Sequence, residues 1–163
     1  MARRISTSKR LPKRDLKFSN YLVSIFINRI LKNGKKELAR KIMYKTLQLI
    51  QAKYHLNPLI ILERAIANVK PKAIIKLLKR KNKRSQKTTV IPVPITTGNF
   101  KSINLGVAWV VKFAQKRPGK NLSFKLQNEI LDTLKKSGSG AIRKKEELER
   151  MAVSCITSKA LSE

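Results

Sequence analysis

The sequence predicts a mainly α fold, a bundle of about six helices with one projecting β-hairpin and a basic N-terminal arm. Three observations carry that prediction. Apolar residues recur every three or four positions in successive stretches parted by short breaks, the pattern of amphipathic helices that cover one another's faces. Between Ala73 and Ile95 this period gives way to β-branched residues on either side of a polybasic centre. The first stretch, 1–17, holds no hydrophobic period at all. A chain of 163 residues suits one domain. The expected division is an arm over 1–17, a helical domain over 18–160 that includes a hairpin at 73–96, and a tail at 161–163.

Each element follows from its own residues. The arm carries Arg3, Arg4, Lys9, Arg10, Lys13, Arg14 and Lys17, with Asp15 as its one acid, and orders only against a polyanion. From Ser19 a helix places Leu22, Phe26 and Ile30 on one face, widened by Val23 and Ile27. Asn33-Gly34 supplies its C-cap. A second helix, from about Lys35 to Lys53, uses Leu38, Ile42 and Leu49, broadened by Ala39, Met43 and Ile50. Asn57-Pro58 starts a third, because Asn accepts a hydrogen bond from the first turn and Pro fits the first helical position. That helix carries Leu59, Leu62, Ile66 and Val69, and stops before Pro71.

Ala73 to Leu78 and Thr88 to Ile95 read as two strands, joined by the basic tip from Lys79 to Lys87. Pro92 and Pro94 suit exposed, edge-like strands. A two-stranded ribbon is marginal alone, so this one is expected to project from the helices and rest on a partner. After Thr97-Gly98-Asn99 a fourth helix aligns Ile103, Val107, Val110 and Ala114, with Trp109 and Phe113 beside them. Arg117-Pro118-Gly119-Lys120 breaks it. Asn121 caps a fifth helix with Leu122, Leu126, Ile130 and Leu134 on its face. Ser137-Gly138-Ser139-Gly140 ends that helix. A sixth, from about Ala141, presents Leu148, Met151 and Cys155, with Glu146, Glu147 and Glu149 facing water.

The charge balance narrows the function. Lys and Arg number 38 against 9 Asp and Glu, a formal net charge of +29. Charge of one sign at this density opposes compaction and asks for a polyanion. Nucleic acid is the leading partner, ahead of an anionic membrane surface and an acidic protein. No Asp or Glu occurs between Glu63 and Glu129. The basic residues also concentrate where the backbone turns: in the arm, at the hairpin tip, at Lys35-Lys36, across Arg117 to Lys120, and from Arg143 to Lys145. Loops can set guanidinium and ammonium groups against irregularly spaced phosphates. Scattered basic loops with a ribbon suit a folded RNA recognised by shape and backbone. No zinc-finger spacing and no basic helix leading into a zipper favours DNA.

The marks of catalysis are missing. His55, the one histidine, reads as a loop residue and has no second metal ligand beside it. Gly34-Lys35-Lys36 lacks the upstream Gly and the Ser or Thr of a phosphate-binding loop. Cys155 is the only cysteine and reads as a small apolar residue on a helix. The reading is therefore a protein that is not an enzyme and holds no cofactor or metal. No apolar run approaches the ~20 residues needed to span a bilayer. The basic N-terminus lacks the apolar centre of a secretory signal and reads as a mature arm.

Three motifs carry a resemblance. They are the stretch from Phe26 to Lys36 (FINRILKNGKK), the stretch from Lys116 to Asn121 (KRPGKN), and the stretch from Ser137 to Glu147 (SGSGAIRKKEE) with Arg150, Met151 and Ala152 after it. In order and spacing they resemble the small-subunit ribosomal protein seven family of bacteria and organelles, from Asn20 to Ala152. The final segment is most similar to plastid and cyanobacterial members. The resemblance implies a structural component of the small ribosomal subunit that binds the 3′ major domain of its RNA and nucleates assembly of the head. It implies rRNA contacts at Arg3, Arg4, Lys9, Arg10, Lys35, Lys36, Arg117, Lys120, Arg143 and Lys144. It implies a hairpin tip, with Lys79, Arg80, Lys81, Lys83, Arg84 and Lys87, near the exit-site transfer RNA and the messenger RNA path. Neighbouring head proteins would be its other partners, with no membrane, and a plastid ribosome its location, with a mitochondrial ribosome or the bacterial cytoplasm as the alternatives. Two features depart from the family. The usual Gly-Gly pair of the hairpin is replaced by a longer basic tip, and the segment from Cys155 to Glu163 has no aromatic residue.

Overall fold

The structure, a computed structural model, describes residues 12–81, 88–96 and 98–160, with the backbone alone for 76–81, 88–94 and 156–160. Its elements run α1 (Tyr21–Ile30), α2 (Lys36–Tyr54), α3 (Pro58–Val69), β1 (Ala73–Lys81), β2 (Thr88–Thr96), α4 (Asn99–Lys116), α5 (Leu122–Lys135) and α6 (Gly140–Ala160). The mainly α bundle with one hairpin is as the sequence predicts.

Local chemistry sets the helix starts. Asn20 Oδ1 accepts the Leu22 amide at 2.7 Å, and Asn57 Oδ1 accepts the Leu59 amide at 3.0 Å, with Pro58 at the first helical position. Asn121 stands at the N-cap of α5 in extended conformation, but its side chain makes no capping bond. The end of α1 also departs from expectation. The helix closes at Leu31, whose amide bonds the Ile27 carbonyl. Asn33 and Gly34 instead form the following turn, at φ of 49° and 72°.

Helix α5 is the hub and packs on α2, α3 and α4, while α1 lies against α2 and α4. Phe26, Met43, Leu47, Ile50, Leu62, Val107, Val110, Leu126 and Ile130 are fully buried between these helices. Each such side chain contributes ~1.5–3 kcal/mol relative to its exposed state. The face of α2 is rotated from the predicted one. Ala39, Met43, Thr46, Leu47 and Ile50 enter the core, whereas Leu38 is 54% exposed. Thr46 is buried without penalty, because its hydroxyl donates to the Ile42 carbonyl at 2.9 Å.

The hairpin is antiparallel and runs in register from Ala73 opposite Thr96 to Lys81 opposite Thr88. Strand β1 therefore continues through Lys79, Arg80 and Lys81, which were expected in the tip. Pro94 faces Ile75 and Pro92 faces Leu77. A proline has no amide hydrogen to give, so these must be the non-hydrogen-bonded pairs, whose backbone groups point away from the partner strand. The ribbon does not rest only on an outside partner, because α6 packs along both strands as well as on α3 and α4. Contacts on so many sides also change the exposure expected along α6. Met151 is 40% exposed, Ala152 is buried, and Glu149 is half-buried with Oε1 enclosed and unbonded.

The chain is fastened ahead of α1. Asp15 is buried, and its carboxylate accepts the Tyr44 hydroxyl at 2.9 Å and the amides of Lys17 and Phe18 at 3.1 and 3.2 Å. Phe18 meets the Tyr44 ring edge-on, with centroids 5.7 Å apart. Burial, then the Asp15 hydrogen bond and charge, hold the Tyr44 phenol above its usual range. A raised folded pKa favours the protonated phenol, so this stabilisation is complete below pH ~10 and fades as pH rises through the folded value. Tyr44→Phe is expected to destabilise the protein by about 1–2 kcal/mol at pH 7. It should also flatten the loss of stability above pH ~10, read by chemical denaturation at pH 7 and across the alkaline range. An unchanged alkaline slope would remove Tyr44 from that role.

Candidate nucleic-acid interface

The α1–α2 turn is built to expose its cations. Two successive residues with positive φ, Asn33 and Gly34, reverse the chain, and the Lys35 amide bonds the Lys32 carbonyl at 3.1 Å. Lys32, Lys35 and Lys36 are left exposed. Lys35 occupies the N-cap of α2 and makes no side-chain capping bond. A cation there opposes the positive end of the helix dipole, so the local choice favours anion binding over helix stability.

The α4–α5 turn comes up beside it. Lys35 and Lys120, predicted from separate motifs, lie on one groove of about 480 Å³. Lys32 and Lys125, outside the predicted set, complete its basic rim, and no carboxylate lines it. Lys36 lines a second depression with Lys13, Arg14 and Arg40, where Asp15 also lies and Arg40 pairs with Glu37. Lys125 had a sequence signal in its place one turn into a helix that begins at a basic break. Lys32 had one inside the FINRILKNGKK stretch, directly before Asn33-Gly34.

Arg117 has a different environment. Its Nε donates to Glu129 Oε2 at 2.6 Å, and its terminal nitrogen lies 2.5 Å from both Glu129 and Asp132. Burial works against the cation, but hydrogen bonds to Asp132 and Glu129 outweigh it and raise its affinity for the proton. Glu129, 1% exposed, also accepts the Ser139 hydroxyl at 2.8 Å and the Ala141 amide at 3.4 Å. One carboxylate therefore joins the end of α4, the middle of α5 and the start of α6. Gly140 completes this junction, since a Cβ there would stand 2.4 Å from Phe113 Cδ1.

Arg143 and Lys144 lie in the first turns of α6 and do not line the groove. Arg143 is exposed, and Lys144 pairs with Glu147 at 2.8 Å. Arg3, Arg4, Lys9, Arg10, Lys83, Arg84 and Lys87 fall outside the described residues. Lys79, Arg80 and Lys81 are placed as strand backbone.

Electrostatics unite the surface. The ion pairs among the described residues use Arg40, Arg117 and Lys144. Lys32, Lys35, Lys36, Lys120, Lys125 and Arg143 face solvent or groove and have no carboxylate partner among the described residues. His55 is the exposed left-handed C-cap of α2, and no group of acid, His or Cys side chains among the described residues can hold a metal. Among the same residues no helix is long and apolar enough to cross a membrane. The family model described as Ribosomal protein S7p/S5e matches residues 1–155 of the chain.

Proposed function

The chain belongs to the ribosomal protein S7p/S5e family, and from that premise we propose that it binds the 3′ major domain of small-subunit rRNA early and nucleates assembly of the head. Membership makes it a structural, rRNA-binding protein of the small subunit. The observation that carries the finer reading is the meeting of two separate basic motifs, at Lys35 and Lys120, on one groove. The bundle fixes the distance between its basic turns, so only an RNA junction of matching shape engages all of them. Lys and Arg neutralise phosphates and release counterions, which provides affinity.

In this reading Arg3, Arg4, Lys9, Arg10, Lys35, Lys36, Lys120, Arg143 and Lys144 contact rRNA, and Arg117 does so from within its carboxylate pairs. The hairpin extends toward the exit-site transfer RNA and the messenger RNA path. Neighbouring head proteins cover other faces, and the ribosome is a plastid one. The likeness of the α6 segment to plastid members supports the compartment.

Binding of the full chain to transcribed 3′ major domain RNA tests the reading. With ~8 phosphates engaged, affinity should fall by several powers of ten between low and moderately high salt. The 5′ domain of the same RNA should bind far more weakly. Equal affinity for both domains, or for duplex DNA, would replace the head-assembly reading with an architectural one.

A further inference from the structure

The groove at the two basic turns has a feature that phosphate binding does not explain. Its floor is apolar, made by Leu38, Ala39, Ile42 and Leu122 with Ile30 behind them. Leu38 stands in the first turn of α2 and leaves 54% of its surface in water, beside cations that gain nothing from it. Scattered exposed leucines need no explanation, but this one joins a shaped apolar floor under a lysine rim. The volume, about 480 Å³, lies within the range of sites that enclose a small ligand.

We propose that this groove seats one unstacked nucleotide of the bound RNA, with its base against Leu38, Ile42 and Leu122 and its phosphate among Lys35, Lys120 and Lys125. The proposal rests on the rRNA-binding reading above and names the ligand of that surface. Charge selects the occupant. The rim carries four lysines and no acid, which repels both the basic arm of this chain and a second copy at net charge +29. A phosphate alone would leave the floor wet, and a stacked duplex would hold its bases away from it. A splayed base offers an apolar face to the floor and keeps its phosphate at the rim, the usual form of RNA readout outside helices. Asn33 and Gln115, also on the wall, carry amides that both donate and accept, as the edge of a base requires.

The test separates base contact from charge. Leu38→Lys adds a cation, so electrostatics alone predicts equal or tighter binding of 3′ major domain RNA. Base seating predicts about tenfold weaker binding with an undiminished salt slope. Leu38→Gln, which leaves the charge unchanged, should show the same loss, and thermal melts should show both variants folded. In the wild-type chain, adenosine or uridine monophosphate should shift the Leu38 methyl resonances, whereas inorganic phosphate should not. Wild-type affinity in both variants, or methyls that respond to an acidic peptide and to neither nucleotide, would overturn the proposal while rRNA binding stood. A wild-type chain that fails to bind the RNA would bring down the proposed function itself.

Discussion

Glu129→Ala is expected to lower the stability of the protein by about 3–5 kcal/mol, the usual cost of removing one partner from a buried ion pair. The carboxylate is 1% exposed and holds Arg117, the Ser139 hydroxyl and the Ala141 amide. Its loss takes the acceptor from the buried Ser139 hydroxyl, leaves the Ala141 amide with its bond to Ser139 alone at 3.2 Å, and opens a void besides. Arg117→Ala should cost a comparable amount, because it leaves the 1% exposed Glu129 carboxylate without its cation, with the Ser139 hydroxyl and the Ala141 amide as its remaining donors. The doubly substituted protein should lose less than the sum of the two, because the bonds between Arg117 and Glu129 are already gone when the second change is made. Denaturant titration measures all three, and the melting temperature of Glu129→Ala should fall by roughly 10 °C. A melt within 2 °C or so of wild type would show that water takes over the carboxylate's bonds and that the junction is not held by it.

This junction was illegible in the sequence for a physical reason. Arg117 lies in a basic turn, and its neighbours in the chain place it with Lys120 as a phosphate contact. Its partners sit 12 and 15 residues further on, and they face it only because α5 folds back along α4. A period of three or four residues shows which face of a helix is apolar, but not that a glutamate on α5 is buried. The acid gap between Glu63 and Glu129 carried information for one side of the groove only, Gln115, Lys120, Leu122 and Lys125, since the other side, from Ile30 to Ile42, lies before it. Helix existence was readable throughout, because Asn20, Asn57 and Pro58 act within one turn of themselves. The orientation of α2 was less so. Leu38 and Leu47 are equally apolar, and only the position of α5 decides that Leu47 enters the core while Leu38 stays at the groove. The length of β1 was hidden for a related reason. Lys79, Arg80 and Lys81 read as a charged tip, yet opposite Val90, Thr89 and Thr88 they extend the ladder, because an exposed ribbon accepts lysine and arginine as readily as a loop does.

Replacing Lys35, Lys36 and Lys120 together with alanine should weaken binding to the 3′ major domain RNA by about a hundredfold at moderate salt and cut the salt slope by about 2–3. These three are exposed, and none has a carboxylate partner among the described residues. Their removal therefore frees no buried charge and should leave the melting temperature unchanged or slightly raised, since Lys35 and Lys36 oppose the dipole of α2. The matching control takes three exposed lysines from elsewhere on that helix, Lys41, Lys45 and Lys53. It carries the same net charge and lacks only the position. If binding depends on shape, the control should lose far less affinity, because its cations are not held at the meeting of the two turns. Equal losses in the two proteins would mean that the RNA responds to total charge alone. The geometry that brings Lys35 to Lys120 would then contribute to folding and not to recognition.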